Sequence, residues 1–165
     1  DIDLCPDKPG ALNGCPDMDG DKVPDPLDKC PEVVGRLEND GCPDIRQEDR
    51  KTLELAMRAV RFGPGNAILL QESLQILDQI AAIMDRYPAY HLQIIGHTDN
   101  TGSADRNQIL SEDRAKACYA HLITRGIEPA RLSYIGYGPT RPIGNNSTRA
   151  GRLLNRRTEF VLFLP

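Results

Sequence analysis

Four of the five cysteines, Cys5, Cys15, Cys30 and Cys42, fall in the first 42 residues, a stretch with few apolar side chains. A segment that cannot build a hydrophobic core needs another staple, and an even cysteine count in a short polar stretch reads as disulfides. Zinc is the competing reading, but it favours close C-x2-C pairs, whereas the spacings here are 10, 15 and 12. Disulfides imply an oxidising compartment. CPDKPGALNGCPD is echoed by CPEVVGRLENDGCPD, each opening on Cys-Pro and closing on Gly-Cys-Pro-Asp. The simplest pairing is Cys5–Cys15 with Cys30–Cys42, although four cysteines permit three connectivities.

Between the two repeats runs DMDGDKVPDPLD. Counted from Asp17, carboxylates fall at positions 1, 3, 5, 9 and 12: Asp17, Asp19, Asp21, Asp25 and Asp28, with Val23 offering a carbonyl at position 7. That is the ligand spacing of a calcium loop, and a hard cation would neutralise the like charges. A solvated acidic linker is the alternative. Lys22 stands where an EF-hand has Gly, Asp28 replaces the closing Glu, and no apolar helices flank the loop. The stretch therefore departs from an EF-hand and resembles a thrombospondin type-3 repeat. Asp3-Leu4-Cys5-Pro6 matches Asp28-Lys29-Cys30-Pro31, so Asp1 and Asp3 read as the tail of a preceding repeat. The resemblance implies a stiff, calcium-dependent spacer.

Charge divides the chain at the same place. Residues 1–48 carry a net charge of −8 and residues 49–165 a net of +4, which suggests two domains with different tasks. Basic residues are scattered and aromatics make up only 5%, so nucleic acid is not an expected partner. No apolar run reaches the roughly 18–20 residues of a membrane-spanning helix. A start without Met leads us to expect an excised or processed piece, with any membrane anchor upstream.

From Asp49 onward the pattern is that of a globular domain. Ala59 to Phe62 reads as a short strand before Gly63-Pro64-Gly65. Leu70, Leu74, Leu77, Ile80, Met84 and Tyr87 recur at helical spacing until Pro88. His91–Gly96 is a buried-type strand. Leu110, Ala117, Cys118, Leu122 and Ile123 mark a second helix, which Gly126 and Pro129 end. Arg131–Gly136 is a third strand, and a short helix near Thr148–Leu154 leads to a last one, Thr158–Leu164. The order β-α-β-α-β plus a final helix and strand predicts an α+β two-layer sandwich, a mixed sheet with helices on one face.

Polar residues concentrate in GHTDNTGSADRNQILSEDRA, just beyond a strand end. Asn107, Leu110 and Arg114 share one helix face, and if that face looks back at Asp99, an anion and a cation meet in one groove. Such a pair suits a zwitterion, because Arg clamps a carboxylate while Asp receives an ammonium. On spacing alone, a plain structural salt bridge accounts for it equally well. His97 lacks the partners of a catalytic triad and reads as structural, His91 and His121 as isolated, and Cys118 as a buried free thiol. Ser111 reads as the cap of a helical turn. The glycines of GYGPTRPIG read as turn residues.

IIGHTDNTGS, NQILSEDRAKA, GIEPARLSYIGYGPTRPIGNN and TRAGRLLNRRTEF together resemble the OmpA-like domain of outer-membrane proteins, peptidoglycan-associated lipoproteins and flagellar stator subunits, in order through about residues 60–163. The resemblance implies a periplasmic, non-enzymatic domain that holds the diaminopimelate of the peptidoglycan stem peptide through Asp99 and Arg114. Thr98, Asn100, Asn107 and Leu110 correspond to nearby family contacts, and Phe62 and Gly63 border the same groove. Arg157 matches the arginine of the family's N-R-R-x-E motif, as a ligand contact or a brace, while Arg156 reads as solvated. The expected function is a tether between outer membrane and cell wall, with an upstream β-barrel as the expected anchor. A calcium-dependent adhesin or protein-interaction module is the alternative. A peptidoglycan hydrolase would need paired carboxylates or a zinc site, and the sequence displays neither.

Overall fold

A computed structural model describes residues 5, 6, 10, 12 and 14–165, which fall into two compact units, one ending at Arg46 and the other spanning Gln47–Pro165. The division lies two residues before the expected one because Gln47 and Glu48 already belong to a helix. Asp1 and Asp3, the expected tail of a preceding repeat, lie outside the described residues.

In the first unit the cysteines form two sequence-local disulfides, Cys5–Cys15 and Cys30–Cys42, each with a Cα–Cα separation of 5.0 Å. They do not form a zinc set. Cys15 and Cys42 are fully buried, so the bridges themselves supply much of what this unit has as an interior. Among its described residues the regular structure consists of single 3-10 turns, Asp25–Leu27 and Leu37–Asn39, and the isolated bridges Gly10–Gly14 and Leu12–Cys15.

The second unit is built from α1 (Gln47–Ala59), α2 (Gln71–Arg86), β1 (His91–Gly96), α3 (Ala104–Thr124), β2 (Leu132–Gly136), α4 (Arg149–Asn155) and β3 (Thr158–Phe163). The sheet has the order β2-β1-β3. β1 runs parallel to β2 and antiparallel to β3, with Gly96 opposite both Gly136 and Thr158. The expected mixed α+β architecture is therefore present. Leu92, Ile94, Thr158 and Phe160 are buried, whereas Val161 and Phe163 on the opposite sheet face are exposed. Helices cover the first face: α3 lies on β1 and β2, α1 on β3, and α2 on both helices. Leu77, Ile80, Ile83 and Met84 of α2 and Cys118 and Leu122 of α3 fill the space between, with Cys118 the buried free thiol expected.

Two glycines set how closely α3 sits on the sheet. A Cβ on Gly96 would lie 2.0 Å from the Ser111 carbonyl oxygen, and one on Gly136 would lie 2.4 Å from the Glu112 nitrogen. Glycine at 136 is thus a packing requirement rather than a turn requirement. Ser111 is likewise no cap. It lies mid-helix, donates to the Gln108 carbonyl and accepts from Gly138 N, fastening the loop after β2. The N-cap of α3 is Ser103, which accepts from Arg106 N at 3.3 Å. At the other end, Gly126 at φ +90° allows Ile127 N to reach Leu122 O, a Schellman closure with Ile127 and Leu122 both buried.

The segment 59–62 is not a strand. Ala59 ends α1, and only Phe62 pairs, in a single bridge to Leu69. Its alternating apolar residues serve different neighbours, with Val60 buried and Phe62 half-buried at the mouth of the cavity described below.

Candidate binding groove

Asp99 lies three residues past the end of β1, just after His97 N and Thr98 N have bonded Arg157 O and Gly138 O. Its Oδ1 accepts from Thr101 N at 2.8 Å and its Oδ2 from Arg156 Nη1 at 2.6 Å. Burial pushes the Asp99 carboxyl upward, but the Thr101 bonds and the Arg156 guanidinium outweigh it and hold the group below its ordinary value of 3.8. The loop around it is tied internally. Thr98 Oγ1 donates to the Asp99 carbonyl, and Asn107 Nδ2 donates to the Asp99 and Thr101 carbonyls. Thr98 and Asn107 are both buried in this network, so they shape the loop; Asn100 is exposed beside it, and Leu110 is half-buried one turn on from Asn107.

Arg114 projects from α3 into a cavity of about 680 Å³ that opens among the end of α1, the 61–70 turn, α4 and the start of β3. Its Nε donates to the Asn66 carbonyl at 2.9 Å, and its guanidinium carbon lies 5.1 Å over the Phe62 ring. The turn that presents Asn66 is held by Gly63 N to Ile68 O, and Gly63 is buried with Asn66 Oδ1 only 2.7 Å from where a Cβ would stand. Phe62 and Gly63 therefore position Arg114. Among the described residues no carboxylate lies within ion-pair distance of this guanidinium. Burial and the Arg156 charge lower its pKa, with Asp99 opposing.

The two arginines before β3 divide the work in a way the sequence reading did not give. Arg156 is not merely solvated: it lines the cavity and covers one oxygen of Asp99. Arg157 points its nearly buried guanidinium at Glu159, 2.6 Å away, and at the Arg141 carbonyl. It braces the wall. His97 sits in the same brace, its Nε2 3.3 Å from Glu159 Oε1 without hydrogen-bond geometry. The register explains the arrangement. His97 N bonds Arg157 O, so the residues before β3 are delivered beside the loop after β1. His121 is not isolated either, since its Nε2 lies 2.7 Å from Asp78, which Arg125 also grips.

In the acidic loop, ligand-type oxygens of Asp17, Asp19 and Asp21 come within 4.8 Å of one another. Backbone donors satisfy part of each carboxylate, as in Gly20 N to Asp17, Val23 N to Asp21 and Cys30 N to Asp28. Asp19 Oδ2 and Asp28 Oδ2 are buried without a hydrogen-bond partner. Burial and the charges of Asp21, Asp19 and Asp25 outweigh the Cys30 bond and raise the Asp28 pKa. Lys22 adopts φ +77°, a left-handed turn of the kind glycine provides in an EF-hand loop.

A family model described as the OmpA family matches residues 61–156, more than half of the chain. The chain belongs to the OmpA family. Among curated members, outer membrane porin F of Pseudomonas aeruginosa is 36% identical over 148 residues, covering 88% of this chain and 41% of that protein. The peptidoglycan-binding protein ArfA of Mycobacterium tuberculosis is 38% identical over 115 residues, covering 67% of this chain and 35% of that protein. The chain thus spans less than half of these relatives. The peptidoglycan-associated lipoprotein from Burkholderia pseudomallei has a solved structure that superimposes with a TM-score of 0.60 at 28% identity, over 66% of this chain and 92% of that one. The OmpA-family match holds the whole Asp99–Arg114–Arg156 constellation.

Proposed function

We propose that residues 47–165 bind peptidoglycan non-covalently, through the diaminopimelate of its stem peptide, and so link the outer membrane to the cell wall. The observation that carries this reading is Arg114, a half-buried guanidinium without a carboxylate partner, beside the ionised Asp99. A buried cation without an anion is costly unless a ligand supplies one. The ammonium and carboxylate at the free end of diaminopimelate supply both charges in one residue. The family and the peptidoglycan-binding ArfA support the same substrate class. The domain is periplasmic, and the disulfides suit that compartment. The anchor expected upstream is a β-barrel.

The titration that tests this uses the full 165-residue chain and a diaminopimelate-containing muropeptide, with Asp99→Ala and Arg114→Ala alongside. A single small peptide should bind at roughly micromolar to millimolar strength. Each substitution should weaken binding by at least about thirtyfold, the usual effect of unpairing a desolvated charge. A folded wild-type chain that ignores the muropeptide would overturn the proposal.

For the first unit we propose calcium. Asp17, Asp19, Asp21, Asp25 and Asp28 with the Val23 carbonyl would hold it, which fits the two buried carboxylate oxygens that lack partners. The ion supplies charge neutralisation and nothing catalytic. On this reading the segment is a calcium-stiffened spacer like a thrombospondin type-3 repeat.

A further inference from the structure

The groove holds more positive charge than a simple zwitterion can answer. Arg114 and Arg156 both line it, and the Arg156 charge acts against that of Arg114, while Asp99 is held at its side by Arg156. Arg58 and Arg61 also line the cavity. Moreover, the anion meant for a ligand ammonium is already covered. Asp99 is 5% exposed, Thr101 N holds one oxygen and Arg156 the other. The Arg156 side chain is 44% exposed, so it can swing away without breaking the core.

Consider what each kind of ligand does to this arrangement. A bare amine would have to displace Arg156 and add a cation to a cationic groove. A ligand with one ammonium and one carboxylate pairs Asp99 and Arg114 but leaves the displaced Arg156 alone. A ligand with one ammonium and two carboxylates leaves none of Asp99, Arg114 and Arg156 unmatched, since Arg156 exchanges Asp99 for the second carboxylate.

We propose that Arg156 is a specificity-determining residue that covers Asp99 in the free protein and moves to a second ligand carboxylate on binding. The groove then selects ligands with one ammonium and two free carboxylates. This rests on the peptidoglycan reading above. In that setting it means a stem peptide ending in diaminopimelate with both carboxylates free, the side-chain one on Arg114 and the C-terminal one on Arg156, and it predicts weaker binding of the form whose C-terminal carboxylate is a carboxamide.

The test titrates the full chain with the stem tripeptide as free acid and as that carboxamide, for wild type, Arg156→Gln and Arg156→Lys. Wild type should prefer the free acid by about tenfold or more, as expected for losing one charge-assisted pair. Arg156→Gln should bind the acid more weakly by about tenfold and the carboxamide as well as wild type or better, because Asp99 is then uncovered. The preference should fall to within about twofold. A variant that merely damaged the fold would weaken both forms alike. Arg156→Lys keeps the cation but loses the fork, and should retain an intermediate preference, which gives a reading if the glutamine variant does not fold. Equal changes for both forms, or a wild type indifferent to amidation, would overturn the role of Arg156. Failure of wild type to bind either form would instead overturn the peptidoglycan reading itself.

Discussion

A single residue separates His97 from Asp99, and the surroundings of both resist protonation, which leaves Asp99 charged and His97 neutral. Asp99 keeps its charge to below the ordinary carboxylate value because Thr101 and Arg156 donate to it. His97 is held neutral: burial first, then Arg157 and Arg141, outweigh Glu159 and bring its pKa from 6.5 to about 4. Below pH 6.5 the unfolded chain takes up a proton at this site that the folded chain refuses, down to about pH 4. Stability should therefore decline as pH falls through that window. Thermal melting followed against pH should show a steeper loss for wild type than for His97→Gln, and identical slopes would refute the assignment. Asp99 and Arg114 were nameable as candidates because the motifs that carry the resemblance are local. Arg156 was not, since what it touches depends on the antiparallel register of β3 against β1, a long-range fact that leaves no local signature.

At the level of elements, legibility followed the strength of the apolar pattern. Five elements of the second unit, α2, β1, β2, α4 and β3, begin and end within one or two residues of the sequence expectation. α1 gave no such signal. Its buried face consists of Leu53, Ala56 and Asp49, the last a carboxylate bonded by Arg86 and by Tyr87 Oη at 2.7 Å. A helix whose core face contains an acid looks polar in sequence and is identified only when its partners on α2 are known. The contact of α3 with the sheet is a different case, since Gly96 and Gly136 reveal their role only once Ser111 and Glu112 are seen above them. Gly96→Ala places a methyl against backbone that cannot turn aside. It should cost at least about 2 kcal/mol, at the upper end of ordinary overpacking, because the obstacle is a carbonyl oxygen and not a flexible side chain. Chemical denaturation would measure it. A loss under about 0.5 kcal/mol, the scale of an ordinary surface change, would mean that α3 moves off the sheet freely.

On the scale of the whole molecule, the two units rely on different forces. Residues 47–165 bury Leu, Ile, Met and Phe side chains in a core, whereas the segment through Arg46 has two disulfides, one buried valine and a converging set of aspartates. On the calcium proposal the first unit should loosen when the ion is withheld, since Asp17, Asp19 and Asp21 then repel at short range with only backbone donors to offset them. Calcium should therefore protect the amides of residues 17–28 in hydrogen exchange, and a chelator should release that protection while those of α2 and α3 stay unchanged. Muropeptide affinity should stay within about twofold on chelation, because the pairs that decide it, at Asp99, Arg114 and Arg156, all belong to the second unit. Exchange in residues 17–28 that ignores both calcium and chelator would reduce the aspartate spacing to a solvated linker. A chelator-induced loss of affinity would show that the proposed binding groove needs the first unit in order, making calcium a condition of binding.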